Sequence, residues 1–407
     1  HGTLSVTRRL RHAICAKEYM ELKASTGTIN ILGAVSDGLH CGKGKAANEH
    51  NYFLMKGGNV NILNVGGDGI DSDDYGTISI EDGTLSINTG DGATALKADS
   101  LLSISGGRVN IAVTGSDSEG LRSRYRTDIS GGQIDIVVTG RGAKAIKGKR
   151  FTEGATVLNG GFVNVSGGMT NIRVTGGTLT DAATGDVSKC MGMSVDADYR
   201  QTGGNVSITA LGPEAYTYNV KGTEEHTDGS LDIVSIPWAL NPADYQYDMS
   251  VYFTVTNVTD LAGKVIGAFS GTQCVGYSVL TTGTDYGIIR IYSDKGTGGE
   301  TISFRLSDNG AEYRVSSSQT VTFEPQTAVG TPEQPITLRR AAYELGDVNR
   351  DKSVDYLDVE CMACKLVGKT ASTTFSSTYA DLNGDGQITI ADLTRIIAIV
   401  KRRQPAQ

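Results

Sequence analysis

Residues 83–136 read GTLSINTGDGATALKADSLLSISGGRVNIAVTGSDSEGLRSRYRTDISGGQIDI. One phrase occurs three times in this stretch: Gly83-Thr-Leu-Ser-Ile87, Gly107-Arg-Val-Asn-Ile111 and Gly132-Gln-Ile-Asp-Ile136. Each is a glycine followed by polar and apolar residues in alternation, which is the pattern of a short strand with one buried face. Working outward, the phrase returns as Gly27-Thr-Ile-Asn-Ile31, Gly58-Asn-Val-Asn-Ile62, Gly161-Phe-Val-Asn-Val165 and Gly204-Asn-Val-Ser-Ile208. Between these lies a second unit, anchored at Leu39, Ile70, Leu96, Leu121, Ile146, Val195 and Val220, at steps of 31, 26, 25, 25, 49 and 25 residues. The step of 49 reads as two coils, with an intermediate anchor near Ile172.

A strand repeated at this period cannot bury its apolar face alone, so successive coils must stack about 4.8 Å apart. The expected fold of residues 1–235 is therefore a right-handed parallel β-helix. The asparagine-bearing consensus of leucine-rich repeats is absent, and no helical stripe fits between the strands. The 53 glycines, against 7 prolines and a single tryptophan, match a chain full of backbone turns.

A formal net charge of −8 argues against nucleic acid, which needs a concentrated basic face. No apolar run reaches membrane-spanning length. The chain starts at His1 without a Met or a signal peptide and reads as a mature or truncated form. Cys15, Cys41, Cys190, Cys274, Cys361 and Cys364 are too scattered to form a small disulfide framework.

The residue after each anchor should face outward in one column: His40, Asp71, Lys97, Arg122, Lys147, Asp196 and Lys221. Asp68, Asp71, Asp73 and Asp74 crowd beside it, and oxygen donors so clustered suit Ca²⁺. Lys97, Arg122, Lys147 and Lys221 are candidate contacts to an acidic polysaccharide. If the chain is a lyase, Lys97, Arg122 and Lys147 are its candidate catalytic groups, because β-elimination requires a base beside a neutralised carboxylate. A purely structural stalk is a third reading. His12, His40, His50 and His226 show no spacing that assembles a triad or a zinc site. Gly42-Lys-Gly44-Lys45 lacks phosphate-loop spacing.

Residues 25–225 resemble the bacterial β-helical carbohydrate-binding family whose repeats read Asp-Gly-Ile-x-Ala-Asp followed by Ser-Gly-Gly. The matching stretches are Asp68-Gly-Ile-Asp-Ser-Asp73, Leu96-Lys-Ala-Asp99 with Ser105-Gly-Gly107, and Val195-Asp-Ala-Asp198 with Thr202-Gly-Gly204. The resemblance implies a pectate-lyase-like fold and calcium-dependent binding of acidic polysaccharide. Leu121-Arg-Ser-Arg124 and Ile146-Lys-Gly-Lys149 depart from it by placing bases where acids are expected.

Residues 245–338 alternate without helical pattern, as in Val251-Tyr-Phe-Thr-Val255 and Ile302-Ser-Phe-Arg-Leu306, and predict a small antiparallel β-sandwich acting as a spacer. Within residues 343–403 two twelve-residue loops stand 34 residues apart. The first supplies Asp347, Asn349, Asp351, Ser353, Asp355 and Asp358; the second supplies Asp381, Asn383, Asp385, Gln387, Thr389 and Asp392. These are loop positions 1, 3, 5, 7, 9 and 12 of the EF-hand scheme for Ca²⁺. Lys352 stands where Gly386 permits the turn in the second loop. Each loop leads into a helical stripe: Val359, Met362, Ala363 and Leu366, then Leu393, Ile396, Ile397 and Val400.

Aspartate at position 12 and a duplicated loop without a preceding helix resemble the dockerin family. That resemblance implies two Ca²⁺ ions, a cohesin-type scaffold protein as partner through Tyr356, Leu357, Ile390 and Ala391, and a secreted or cell-surface location.

Overall fold

In a computed structural model, residues 2–23, 27–42, 51–153, 156–157, 159–283, 286–308, 310–371 and 373–403 are described. The chain divides into two compact units, His1–Pro237 and Trp238–Gln407.

The first unit contains an eleven-stranded and an eight-stranded sheet in which every pairing is parallel. The chain visits the two sheets in turn. Thr77–Thr89, Arg126–Val138, Phe162–Val174 and Tyr199–Leu211 lie in the larger sheet, and Leu39–Cys41, Ile70–Ser72, Thr94–Ala98, Glu119–Ser123, Lys144–Gly148 and Cys190–Val195 in the smaller. Inward side chains such as Leu39, Ile70, Leu96, Leu121 and Ile146 form one buried core with Ile62, Ile87, Ile111 and Ile136 from the opposite sheet.

The Gly-Gly pairs of the repeat sit where the register of the long strands shifts. Gly107 takes φ 74°, and an added Cβ there would stand 2.7 Å from the carbonyl oxygen of Gly83 on the neighbouring rung. Glycine is therefore required twice over, for its dihedral and for the close approach of backbone.

The step of 49 residues is not two coils. Ile146 pairs directly with Met193, and Ile172 lies in the other sheet between Ile136 and Ile208. Part of the extra length goes into two small hairpins, Thr152–Glu153 with Thr156–Val157 and Leu179–Thr180 with Val187–Ser188. The anchor is thus Met193 rather than Val195, and Tyr218 rather than Val220. A slip of two residues preserves which face is buried, so alternation could not detect it.

The second unit begins with a nine-stranded sheet rather than two separate antiparallel sheets. Tyr247–Thr256 pairs antiparallel with Gly287–Ser293 but parallel with Ala328–Val329 and Ile336–Arg340. Its core includes Val251, Phe253, Ile266, Ile289, Phe304, Leu306 and Phe323. The same unit ends in two helices, Tyr356–Leu366 and Ile390–Arg403, whose buried faces share a core of Leu345, Val348, Cys361, Met362, Leu382, Ile396 and Val400. All six cysteines are free thiols. Among the described residues, no helix is long and apolar enough to cross a membrane.

Candidate functional site

The two acidic loops precede the two helices and share one internal wiring. Asp358 Oδ1 accepts hydrogen bonds from the backbone N–H groups of Val348 (2.9 Å) and Asn349 (3.2 Å), while its Oδ2 accepts from Asp355 N–H (3.0 Å). In the second loop Asp392 Oδ1 accepts from Leu382 (2.9 Å) and Asn383 (3.2 Å), and its Oδ2 from Thr389 (2.9 Å). The aspartate at position 12 thus ties the start of each loop to its end. Asp347 accepts from Asp351 and Lys352, Asp381 from Gly384, Asp385 and Gly386, and Ser353 and Gln387 donate their N–H groups to Asp351 and Asp385.

The donors fit a hard divalent cation. Every side-chain candidate offers oxygen, and Asp347, Asp358 and Asp392 are fully buried. Burial, with the nearby Asp347 carboxylate, pushes the Asp358 carboxyl up to about 6, and burial likewise raises Asp347. A cation among them would offset that cost. At the first turns of the two helices, Tyr356, Leu357, Ile390 and Ala391 are exposed.

The second loop has a support that sequence reading missed. Arg305, buried in strand Thr301–Asp308, donates to the carbonyls of Leu382 and Asn383, each at 2.9 Å. Its guanidinium lies 4.5 Å from the centroid of the Phe269 ring and 3.5 Å from Glu312, which also accepts from the Trp238 indole N–H. Arg314 donates to the Asp381 carbonyl at 2.7 Å and pairs with its carboxylate at 3.1 Å. An arginine inside an otherwise alternating strand was the available signal.

In the first unit, register places Cys15, His40, Asp71, Lys97, Arg122, Lys147, Ser194 and Asn219 in one outward column. Asp196 and Lys221 belong two residues further along, yet return to it: Asp196 Oδ1 lies 3.1 Å from Lys147 Nζ and 3.0 Å from Lys221 Nζ. The bases are ion-paired rather than free. Lys97 Nζ lies 2.9 Å from Asp68, 3.2 Å from Asp71 and 3.9 Å from Asp73, so its ammonium already meets three of the four clustered carboxylates. Asp74 is exposed and turns away in a left-handed conformation, with its N–H on Asp99. Arg122 pairs with Glu119 at 3.0 Å.

Burial alone would lower the Lys97 pKa, but Asp68, Asp71 and Asp73 outweigh it and raise the net value. For Lys147 burial wins over Asp196, and its pKa is lowered. Burial likewise raises Asp68 despite Lys97.

The histidines are not all isolated. His12 and His40 come from adjacent rungs and stack, with ring centroids 4.2 Å apart, above Asp37. Hydrogen bonds to Asp37 and Asp71 outweigh burial and push the His40 pKa up to about 10. His50, Lys45 and the glycine and lysine before it at 44 and 43 lie outside the described residues.

No curated protein and no solved structure matches the chain. Two family models do. Type I dockerins bind Ca²⁺, and residues 345–401 match the type I dockerin domain. Residues 1–168 match the family described as carbohydrate-binding domain-containing protein, so the chain is similar to that family over its first part and to a type I dockerin domain near its end.

Proposed function

We propose that the chain is an extracellular, non-catalytic polysaccharide-binding protein, its first unit a right-handed parallel β-helix, attached to a cohesin-bearing assembly through residues 345–401. One observation carries this reading: two loops of the same hydrogen-bond wiring, each with six oxygen-bearing ligand candidates, sit in one chain with a parallel ladder matching a carbohydrate-binding family. Two Ca²⁺ ions would occupy the loops. They would fix the first turns of the two helices, where Tyr356 (54% exposed), Leu357 (47%) and Ile390 (74%) offer an apolar patch to the partner.

The polymer contact is assigned to the charged column of the ladder, with Lys221 its most exposed base at 63%. Lys97, Arg122 and Lys147 are drawn into ion pairs, which favours a fixed, pre-formed polar surface over mobile charges. The lowered pKa of Lys147 is the one feature that favours the lyase reading.

Retardation in native gels containing acidic or neutral polysaccharides, followed together with ultraviolet absorbance of unsaturated products, tests the reading. Retardation without product is expected. Product that disappears in Lys147→Ala would make the chain a lyase, and neither signal would leave a stalk. Binding to a cohesin panel, abolished by chelator, tests the attachment.

A further inference from the structure

We propose that His12, Asp37 and His40, with Asp71 beside them, bind one divalent cation of the borderline class, Zn²⁺ or its Co²⁺ surrogate, on the first rungs of the parallel ladder. The donors are brought together by stacking. His12 precedes the rung Ile14–Ala16, Asp37 and His40 flank the start of Leu39–Cys41, and Asp71 lies on Ile70–Ser72. Each rung thus supplies a ligand that no local sequence spacing reveals.

Distances suit a small ion. His12 Nδ1 is 2.7 Å and His40 Nδ1 3.1 Å from Asp37 Oδ2, and His40 Nδ1 is 3.6 Å from Asp71 Oδ2. A tetrahedral ion with bonds of about 2.0–2.1 Å holds its donors about 3.3 Å apart. The stacked imidazoles present both Nδ1 atoms to the same carboxylate oxygen. Imidazole nitrogens select zinc-like ions over Ca²⁺, which prefers six to eight oxygens.

The surroundings are those of a built site. The side chains of His40, Asp71 and Asp37 are 4%, 5% and 9% exposed. Asp37 Oδ1 accepts the N–H of Asp68 at 2.8 Å, which orients the carboxylate and leaves Oδ2 for the ligand. One of the proposed ligand atoms, the buried His12 Nδ1, has no aligned hydrogen-bond partner although it stands 2.7 Å from Asp37 Oδ2, a state that an ion between them would relieve. Lys97 reaches Asp68, Asp73 and also Asp71 Oδ2 (3.2 Å), so Asp71 is shared between the ammonium and the site. His12, Asp37 and His40, by contrast, have no basic side chain of Lys or Arg in ion-pair contact among the described residues.

An ion here would clip three consecutive rungs. Because each coil of such a ladder touches only its neighbours, the clip would stabilise this end of the stack selectively.

The test uses the full chain in saturating Ca²⁺, so that the two acidic loops are filled. Zinc titration calorimetry should find one further site per chain, and Co²⁺ should give the intense visible bands of four-coordinate geometry. His12→Ala removes the most exposed of the four side chains and spares the fold; it and Asp37→Asn should each weaken zinc binding by more than about tenfold. His226→Ala should leave it unchanged. Absence of a zinc site, or a site indifferent to both His12→Ala and Asp37→Asn, would overturn the proposal and reduce the cluster to a histidine–carboxylate ion pair.

Discussion

The two acidic loops are the same device built with different amino acids. Their position-12 hydrogen bonds agree in partner and in length: 2.9 and 3.2 Å at Asp358, and 2.9 and 3.2 Å at Asp392. Their backbones agree too. Positions 4 and 6 take φ 64° and 77° in the first loop and 81° and 82° in the second. Yet the first loop puts Arg350 and Lys352 at these left-handed positions, whereas the second uses Gly384 and Gly386. The supports also differ, since Arg305 and Arg314 hold the carbonyls of the second loop alone. The first loop is strained and its Val348 carbonyl is held by a backbone donor, Ser376 N–H at 2.7 Å, whereas the second is relaxed and buttressed by arginine side chains.

The shared part should dominate. Asp358→Ala and Asp392→Ala each remove a buried carboxylate that accepts three backbone N–H groups and strand those donors in the interior. Each should cost about 3 kcal/mol or more and prevent residues 345–401 from ordering at moderate calcium. Calcium-dependent circular dichroism would check this. Near-equal losses would establish that position 12 is equivalent in the two loops. Chelation of the wild type should reproduce the loss and leave the parallel ladder of the first unit folded, which proteolysis followed by mass spectrometry would report.

The buttress separates the loops. Arg305→Ala takes its donor from the part-buried Asn383 carbonyl and leaves the Leu382 carbonyl only the longer hydrogen bond from Arg395 (3.3 Å), and should destabilise the second loop by about 1–2 kcal/mol. In calorimetric calcium titration, only one of the two binding events should weaken. If both weaken equally, Arg305 supports the whole helical module and the asymmetry is lost. Arg314→Ala should act in the same direction but less, since its partner Asp381 also accepts from Gly384, Asp385 and Gly386.

What could be read from the sequence follows the range of the forces involved. Each loop packs its ligands into twelve residues, so Asp347 to Asp358 and Asp381 to Asp392 were visible at a glance. The ladder was visible through its period, but a period fixes only which side chains turn inward. It could not reveal that Met193, not Val195, continues the column of Ile146, because the two readings bury the same face. Nor could it reveal that Lys97 would be held by Asp68 and Asp71, since that pairing depends on rungs 26 and 29 residues apart. Arg305 lay further still from view. Its carbonyl partners are 77 and 78 residues away and carry no side-chain signature.

The strain in the first loop gives the smallest and most discriminating effect. Lys352 at φ 77° pays the crowding of its Cβ in the left-handed region, about 1 kcal/mol for a residue that is neither glycine nor asparagine. Glycine would remove that crowding but loses more freedom on folding, which opposes the gain in part. The Lys352 N–H, which Asp347 accepts at 2.9 Å, is a backbone group and survives the change. Lys352→Gly should therefore stabilise the first loop by a few tenths of a kcal/mol up to about 1 kcal/mol, raising its calcium affinity up to about fivefold. The reciprocal Gly386→Lys meets no atom within 4 Å at its Cβ, so its cost is conformational alone and should weaken the second loop by a comparable amount. If Lys352→Gly leaves affinity unchanged while Gly386→Lys lowers it, the first loop's dihedral is not what separates the two sites, and the buttress of Arg305 and Arg314 must account for the difference.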